Sequence, residues 1–402
     1  MNCRYSVLLA VLVLALVPGL IAAETEGDVE SGIWDTTVDG SPDLVLEYEP
    51  DGTGPDIKAD IKSVGDKGSV TYKGDIRATN NMTNELDFDV NRVWRSTNVL
   101  NGLLHRLGHQ PLDHFQAATV HGRVIRETDH NPDSIYEIDY QVFETWNEIQ
   151  PKGMSGLTFG FGYRDQRREG MRQSTIISHC DGCHVQSQDR PTDEKTTDVG
   201  VDLTWAGRQG YVRANYKSRS FSESPTSIDF LYDRTLHPEL RTPVFDNRNS
   251  IDALDGPVPI DMRSDTSKDT YGLDGLWTNG KGLNLAAEGI WTESKNEGTN
   301  VKSDYNGYLL NANHRFGQDR KWAFRWRGRS YSIENSDYFV DTVERESIAG
   351  PHAGRTYRDV YGLNPDFTRL SARNRDVIKS KLDLAYRFNR QAGTLRLIWD
   401  YD

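Results

Sequence analysis

The 402-residue sequence contains 60 acidic and 47 basic side chains, which gives a formal net charge of −13. This excess of acid excludes a nucleic-acid binder that works through a basic surface. Apolar residues make up only 36%, a thin supply for one large water-soluble core, whereas 18 Tyr, 13 Phe, 9 Trp and 35 Gly are typical of β structure. The composition therefore favours either several small domains or a hollow β structure.

Residues 1–23 predict a secretory signal peptide. A basic start at Arg4 precedes the apolar stretch 7–17, and small residues lead up to the acidic Glu24. An uncleaved membrane helix is the alternative, although a proline and a glycine interrupt a run that is already at the short limit for a span. We expect the chain to be exported and Cys3 to be lost with the signal. No later run of apolar residues is long enough for a membrane helix, so any embedding must use strands.

Two segments near the start of the mature chain differ from the strands that follow. Residues 24–55 are acidic and rich in Gly, Asp and Pro, which predicts a flexible periplasmic leader ahead of a barrel over residues 56–402. In residues 96–114, a valine and several leucines repeat at helical spacing. This repeat predicts a short helix or plug, or alternatively an amphipathic turn packed on the barrel wall.

Alternation of apolar and polar residues dominates from about residue 69 onward and predicts strands with one apolar and one charged face. The clearest apolar rows are Leu86, Phe88 and Val90; Tyr136, Ile138, Tyr140 and Val142; Leu157, Phe159, Phe161 and Tyr163; Val199, Val201, Leu203 and Trp205; Tyr271, Leu273 and Trp277; Leu283, Leu285 and Trp291; Trp322, Phe324 and Trp326; Leu382, Leu384, Tyr386 and Phe388; and Leu395, Leu397, Trp399 and Tyr401. A β-sandwich shows the same alternation, so the connections must distinguish the two folds.

The predicted connections alternate between short and long. Short turns are expected at 150–155, 206–210, 279–281, 317–320 and 389–393, and long loops at 165–198, 221–269, 293–301 and 332–376. Tilted strands of about nine to twelve residues cross a hydrocarbon layer of roughly 30 Å, whereas sandwich strands average about five or six. The sequence thus predicts an all-β, antiparallel transmembrane β-barrel of the bacterial outer membrane, in contact with membrane lipid, rather than a soluble β fold. Asp402 follows a strand directly, without a terminal aromatic residue, which indicates a barrel that is incomplete at its C-terminus.

The sharpest motif is C-x-x-C-H at Cys180, Cys183 and His184, and these are the two cysteines of the exported chain. Two thiols at this spacing add to the vinyl groups of a haem, and the adjacent imidazole supplies an axial nitrogen to the iron. The motif predicts haem c with His184 as proximal ligand. Three alternatives remain: a loop disulfide, a thiol–disulfide redox centre and a zinc site. The redox centre lacks the βαβ context that it requires, and the zinc site needs further ligands.

Further candidate residues lie around this motif. The distal haem ligand is open, with His121, His237 and Met171 as candidates, while His179 could reach a haem in a partner protein. Four arginines lead into the motif, and they either pair with haem propionates or balance nearby acidic residues. These are Arg164, Arg167, Arg168 and Arg172.

Two other charged stretches of the sequence could either bind a partner or ion, or serve only as lumen lining and solvated loops. Arg325, Arg327 and Arg329 form a basic row that either lines the lumen in pairs with acidic residues or docks an acidic cytochrome. The Asp- and Asn-rich stretches 246–265 and 359–376 lack an ordered ligand spacing, so solvated loops are favoured over cation sites. The sequence contains no motif of a hydrolase, a metalloprotease or a nucleotide-binding enzyme and predicts no enzymatic activity.

A barrel with charged inner rows, hairpins such as those around residues 157–164 and 322–329, and a haem-attachment motif resembles the MtrB/PioB-type outer-membrane barrels that are associated with decahaem cytochromes. The resemblance covers residues 69–402 and rests on architecture. It implies a sleeve that holds a periplasmic multihaem cytochrome inside the membrane and lets it meet an extracellular cytochrome. A membrane core of about 30 Å is too wide for one tunnelling step from a single haem, so the partner's haems would fill the lumen.

Three functional hypotheses follow. The first is a barrel that sheathes an electron conduit and carries one c-type haem of its own. The second is a diffusion porin or substrate channel with a loop disulfide. The third is a soluble periplasmic cytochrome on a β scaffold. None of the three expects a nucleic acid as partner.

Overall fold

The chain folds mainly into β-strands. A computed structural model describes residues 24–40, 45–49, 52–78, 80–112, 118–120, 123–178, 184–231, 257–339, 354–355, 359, 368–369, 374–389 and 393–401. The predicted signal peptide, residues 1–23, lies outside this part of the chain. Among the described residues, no helix has the length and apolar character needed to span a membrane.

In chain order, the strands are β1 (Glu24–Thr36), β2 (Gly52–Gly65), β3 (Gly68–Ala78), β4 (Asn81–Val90), β5 (Trp94–Leu107), β6 (Ala118–Val120), β7 (Arg123–Asp129), β8 (Tyr136–Ile149), β9 (Leu157–Ser178), β10 (His184–Gly207), β11 (Gly210–Glu223), β12 (Ser227–Phe230), β13 (Val258–Asp261), β14 (Thr266–Thr278), β15 (Leu283–Asn296), β16 (Lys302–Phe316), β17 (Trp322–Asn335), β18 (Tyr338–Phe339), β19 (Thr368–Arg369), β20 (Arg375–Asn389) and β21 (Gly393–Tyr401). A short 3-10 helix, Gln318–Arg320, forms the turn between β16 and β17.

One 17-stranded sheet forms the wall of the molecule, and β12–β13 and β18–β19 form two separate hairpins. The short strands β6 and β7 lie at the side of the wall, where β7 runs parallel to the start of β10. The other fifteen strands of the sheet pair antiparallel in chain order: β1 to β5, β8 to β11, β14 to β17, and then β20 and β21. An up-and-down meander of this kind is the architecture of a barrel wall.

Short connections gather at one end of the wall, here called the turn end. They join β2–β3, β4–β5, β8–β9, β10–β11, β14–β15, β16–β17 and β20–β21. At the opposite, loop end, residues 37–51, 108–135, 224–265 and 336–374 make long connections, while 79–80, 179–183 and 297–301 make short ones. The predicted short turns are therefore confirmed, and the long connections lie at the other end of the strands, as in outer-membrane barrels. The long loop predicted at 293–301 is wrong, because β15 continues to Asn296 and β16 begins at Lys302.

The prediction of a long loop at 165–198 is wrong. β9 continues to Ser178 and β10 begins at His184, and the two strands are paired throughout, so only five residues connect them. The alternation fades here because the row that contains Phe161 and Tyr163 turns polar. It continues with Asp165, Arg167 and Glu169. A strand that leaves the membrane loses its apolar row but keeps its backbone hydrogen bonds.

The predicted apolar rows stand side by side across β9 to β21. Phe161 pairs with Val201, Val201 with Tyr216, Tyr216 with Tyr271, and Tyr271 with Trp291. The same face of the later strands carries Leu285, Leu310, Trp326, Leu382 and Trp399. We call this side the apolar face; its side chains are exposed, with Leu273 49%, Leu310 47% and Leu397 63% accessible. A broad band of exposed apolar side chains belongs in lipid.

The opposite side, the polar face, carries charges that pair between neighbouring strands. Arg213 Nε lies 2.8 Å from Asp274 Oδ1, and Arg396 Nε lies 2.8 Å from Asp383 Oδ1. The predicted apolar row of β8 also lies on this polar face, because Tyr140 pairs with Arg168. The predicted alternation of β8 is therefore confirmed, but its apolar row lies on the polar face of the wall and not on the face that meets lipid.

The prediction of a flexible leader over residues 24–55 is wrong for its described part. β1 pairs with β2 along its whole length. Two of its acidic residues meet lysines of β2: Glu26 lies 3.7 Å from Lys62, and Glu30 stands opposite Lys58. Part of the acidic charge of β1 is thus balanced by a partner strand, which its own sequence does not show.

The helix or plug predicted over residues 96–114 is also not found, because most of this segment is strand β5 (Trp94–Leu107). Leu100 and Leu104 point to the apolar face and are 8% and 4% exposed, while Val99 and Leu103 point to the polar face. A strand with apolar residues on both faces produces the spacing that suggested a helix.

On the first strands the apolar face is buried rather than exposed. Tyr72 of β3 and Leu86 of β4 are each 7% accessible, and they pack against Ile61, Val70 and Phe88. The exposed apolar band is therefore a property of the wall from β9 onward.

The all-β, antiparallel fold predicted from the sequence is confirmed. Backbone polar groups pair from strand to strand, one face of the wall is apolar and exposed, and the other is charged. This is the organisation of an outer-membrane β-barrel, and it places the protein in the bacterial outer membrane.

Candidate functional site

A long hairpin extends from the membrane wall towards the C-x-x-C-H motif. β9 has 22 residues and β10 has 24, and their ladder runs from Leu157 opposite Trp205 to Ser178 opposite His184. The apolar row of β9 ends at Tyr163. The rest of the strand therefore reaches about 50 Å along its own axis beyond the apolar band.

The motif itself stands at the far end of this hairpin. Cys180 and Cys183 belong to the connection 179–183, which lies outside the described residues. His184 is the first residue of β10, and its side chain is also outside the described set. The structure thus fixes the strands that carry the motif and leaves the haem prediction untested.

A side segment supports the hairpin near the motif. β7 pairs in parallel with the first residues of β10, from Arg126 opposite His184 to Asp129 opposite Ser187. His109 Nε2 lies 2.6 Å from Asp129 Oδ2, and the Asp129 side chain is only 2% exposed. The strand that begins with His184 is therefore held on both edges, by β9 and by β7.

A buried tyrosine fastens β8 to the same part of β10. Tyr136, which is 2% exposed, donates its hydroxyl hydrogen bond to Asp189 Oδ1 at 3.0 Å. Ser134 Oγ donates to the other oxygen of Asp189 at 2.9 Å, and the backbone N–H of Asp189 donates to Asn131 Oδ1 at 2.9 Å. Burial, and then the hydrogen bond to Asp189, raise the pKa of the Tyr136 phenol. This phenol stays protonated and serves as a donor.

Three of the four arginines that precede the motif are engaged by carboxylates. The ion pairs are Arg164 with Glu144 (3.6 Å), Arg167 with Asp165 (3.4 Å) and Arg168 with Glu194 (3.8 Å). Arg172, the nearest of the four, is still six residues before Ser178, about 20 Å along the ladder. These positions favour charge balance over contact with haem propionates.

The structure separates the other haem-ligand candidates. Met171 stands opposite Pro191, seven residues before the end of β9, hence about 23 Å from His184 along the ladder. Met171 is therefore too far away to be the distal ligand, and that candidate is wrong. His121, His179 and His237 fall outside the described side chains.

The basic row of β17 has a second row beside it that the sequence did not reveal. On the polar face, Lys379 and Lys381 of β20 stand opposite Arg329 and Arg327. We call these four residues together with Arg325 the basic patch. Two carboxylates of the neighbourhood are already engaged, since Asp383 binds Arg396 and Asp400 lies 2.8 Å from Lys381. The expected pairing of the arginines with acidic residues is thus only partly found.

A second part of the polar face carries charges of both signs. A cavity of about 460 Å³ lies over β11, β14, β15 and β16, and its lining includes Arg213, Asn215, Asp274, Glu288 and Asn311. Water-filled lumens of outer-membrane barrels have this mixed polar lining.

No group of three or more His, Cys, Asp or Glu side chains that could hold a metal ion occurs among the described residues. Most of the stretches 246–265 and 359–376 lie outside that part of the chain. In the described part of the first stretch, Asp265 Oδ1 accepts a hydrogen bond from the Glu223 backbone N–H at 3.3 Å. This hydrogen bond ties Asp265 to the end of β11, which is a structural role and not that of a cation ligand.

Comparisons with solved structures find outer-membrane proteins at low sequence identity. The chain is similar to OmpT, an outer membrane protein of Vibrio cholerae, with 8% identity and a TM-score of 0.31 over 94% of this chain and 100% of that one. It is similar to an anion-selective porin from Comamonas acidovorans, with 9% identity and a TM-score of 0.24 over 83% and 96%.

A third similar structure is the ferric yersiniabactin uptake receptor FyuA from Yersinia pestis, with 11% identity and a TM-score of 0.32 over 96% of this chain and 68% of the receptor. No family model matches the chain, and no curated protein matches its sequence.

Proposed function

We propose that this outer-membrane barrel sheathes a multihaem cytochrome and carries one c-type haem of its own, so that electrons pass between the periplasm and the cell exterior. The observation that carries the proposal is the continuity of the hairpin. The C-x-x-C-H motif follows strands that begin in the membrane wall and extend well past it. A redox group at that end would lie beyond the lipid, where it can meet a second protein.

The donor set of the hairpin end fits such a haem. Cys180 and Cys183 would form the two thioether bonds, and His184 would bind the iron from the first residue of a strand that is paired on both edges. When bound, the haem supplies a one-electron redox centre. The chain's own contribution is a rigid support, since β7 and β9 fix the backbone of His184.

The basic patch supports the sheath part of the proposal. It lies on the polar face of β17 and β20, where Arg327 stands opposite Lys381 and Arg329 opposite Lys379. Such a surface would attract an acidic periplasmic cytochrome into the lumen and orient it there. The haems of this partner are needed because a single haem cannot bridge about 30 Å of hydrocarbon.

The haem is tested on protein extracted from membranes, denatured by heat and separated from loosely bound cofactor. We expect a covalent haem absorbance in the wild type, its loss in Cys180→Ser, and its retention in the control Ser174→Ala on the same hairpin. A colourless wild-type protein would overturn the haem part of the proposal.

The conduit is tested in vesicles that contain the extracted complex and an enclosed reduced dye. We expect an external ferric chelate to oxidise the dye, and we expect charge reversal at Arg325 and Arg327 to slow the oxidation as the cytochrome is lost. Equal rates with wild-type, charge-reversed and empty vesicles would contradict the conduit.

A diffusion channel with a C-x-x-C disulfide is the second candidate, and the mixed charges over β11, β14 and β15 favour it. This candidate predicts single-channel conductance by the purified protein without any cytochrome. It also predicts a mass increase of one disulfide's two hydrogens on reduction, whereas a haem adduct predicts a far heavier chain.

A further inference from the structure

A cavity of about 420 Å³ lies on the polar face at the loop end, outside the membrane band. Strands β5, β8, β9 and β10 contribute to it, together with residues 45–49 and Arg263. It lies several residues below the C-x-x-C-H connection, and neither the haem nor the conduit uses it.

One side of this cavity is apolar and aromatic. Leu103, Leu107 and Ile138 form this wall. The ring of Tyr48 stacks on His105 with centroids 4.8 Å apart, and this pair closes one edge. An apolar group of moderate size would find a complementary surface here.

The other side is strongly cationic. Arg168, Arg172 and Arg263 line it, and the only carboxylate in the described lining is Glu194. Glu194 is 6% exposed and already bridges Arg263 and Arg168, the latter at 3.8 Å. Glu194 therefore offers little further charge to Arg172.

Charges behind the lining do not restore the balance. Glu223, 3% exposed, lies 3.3 Å from Arg263 and 3.4 Å from Arg190, so its charge is shared between two guanidinium groups. Burial, and then the neighbouring Arg190 and Arg263, lower the pKa of Arg172. At the aromatic edge, Glu47 Oε1 lies 3.2 Å from His105 Nε2. With Arg190 included, four arginines therefore face three carboxylates, those of Glu47, Glu194 and Glu223, so the local excess is positive and an anion would relieve it.

A hydroxyl in the lining lacks a hydrogen-bond partner among the described residues. Thr192 is 5% exposed, and its Oγ1 is buried without an acceptor or donor there. Arg190 Nε, two residues earlier on β10, is also buried without a hydrogen-bond partner among the described residues. Buried polar atoms are almost always hydrogen-bonded. A small rotation of the Thr192 side chain would bring its covered hydroxyl to a ligand in the cavity and give it the hydrogen-bond partner that it lacks.

We propose that this cavity binds a small amphipathic organic anion. Its carboxylate or similar head would accept hydrogen bonds from Arg172, Arg263 and Thr192 Oγ1. Its apolar body would lie against Leu103 and Ile138. The proposal is independent of the haem, because none of these residues belongs to the motif.

The test uses the full-length barrel in a zwitterionic detergent and calorimetric titration with 2-naphthoate. The uncharged 2-naphthalenemethanol, of the same size, is the comparison ligand. We expect saturable binding of naphthoate and at least tenfold weaker binding of the alcohol, because the alcohol cannot neutralise the arginines.

Two variants and one control make the assignment specific. Thr192→Val keeps the side-chain shape and should weaken naphthoate binding about fivefold to tenfold, while Arg172→Gln should weaken it more. Arg213→Gln, in an ion pair elsewhere on the polar face, should leave binding unchanged.

Absence of naphthoate binding to the wild type, equal binding of acid and alcohol, or wild-type affinity in both cavity variants would each overturn the proposal. If Arg172→Gln fails to fold, Thr192→Val alone decides, since it removes one oxygen without changing a charge.

Discussion

Two adjacent leucines in the middle of β16 face opposite sides of the wall. Leu310 lies on the apolar face, 47% exposed, between small residues of the neighbouring strands. Leu309 lies on the polar face opposite Glu288. Replacing each leucine by arginine introduces the same charge at the same depth and differs only in the side on which it emerges.

The two substitutions should differ greatly in free energy of unfolding. An arginine that faces lipid near the bilayer midplane costs about 2–4 kcal/mol, which lowers the folding equilibrium constant roughly 30- to 900-fold. The residues opposite Leu310 are Ala287 and Gly328, and neither has a polar side chain that could pair with the new arginine and reduce this cost. An arginine at Leu309 stays in water between Glu288 of β15 and Arg329 of β17. Its attraction to Glu288 and its repulsion by Arg329 largely offset each other, so its effect should be about 1 kcal/mol or less.

The assay is urea unfolding of protein refolded into phosphatidylcholine vesicles, followed by tryptophan fluorescence. The expected result is a large fall in the midpoint for Leu310→Arg and a small change for Leu309→Arg. Equal losses, or a larger loss at Leu309, would refute the assignment of the apolar face to lipid.

Three further outcomes are expected at other sites. The raised pKa of Tyr136 favours the neutral phenol, so its stabilising effect is complete below the ordinary tyrosine pKa of about 10 and is lost as the pH rises through the folded-state value. A 295 nm titration should show a late-ionising fraction of the tyrosines that Tyr136→Phe reduces by one residue, and identical curves would contradict this. A methyl group added in Gly162→Ala would lie 2.5 Å from Trp146 Cε3, so we expect a loss of about 1–3 kcal/mol in urea unfolding, whereas an unchanged midpoint would show that the indole moves freely. Asp129→Asn removes a buried charged partner of His109 and should speed hydrogen exchange in β7 while the turn end stays protected; unchanged exchange in β7 would contradict the bracing role.

The sequence predicts the strands well where the membrane imposes a regular row. From β14 onward, side chains such as Leu273, Trp326 and Leu397 alternate with polar residues because one neighbour meets lipid and the next meets water. Short turns then connect these strands at one end of the wall. The alternation of strands and short turns indicates that neighbouring strands in the chain pair antiparallel in the sheet.

The same logic explains the wrong predictions. Beyond Tyr163, both faces of β9 meet water, so no apolar row remains to mark a strand. In β5, Leu100 and Leu103 face opposite sides of the wall, and apolar residues on both faces of one strand imitate helical spacing. The acidic β1 is ordered by backbone pairing with β2 along its whole length, and Lys58 and Lys62 of β2 stand opposite two of its glutamates.

The functional sites depend even more on contacts between distant segments. The C-x-x-C-H motif is local and could be found directly, but the basic patch needs Lys379 and Lys381 to stand beside β17. The anion cavity joins Arg172 to Arg263, whose common setting arises only from the ladder of β9, β10 and β11. A run of arginines in the sequence gives no sign of such an arrangement.

The lipid-facing assignment is tested most directly by spin labels placed one at a time along β16, at Tyr308, Leu309, Leu310, Asn311 and Ala312. The protein is studied in vesicles, with Cys180 and Cys183 replaced by serine and without residues 1–23, which include Cys3. Collisions with oxygen, which concentrates in hydrocarbon, should peak at Tyr308, Leu310 and Ala312. Collisions with a water-soluble nickel complex should peak at Leu309 and Asn311. High nickel accessibility at all five positions would show that both faces meet water and would contradict the transmembrane wall.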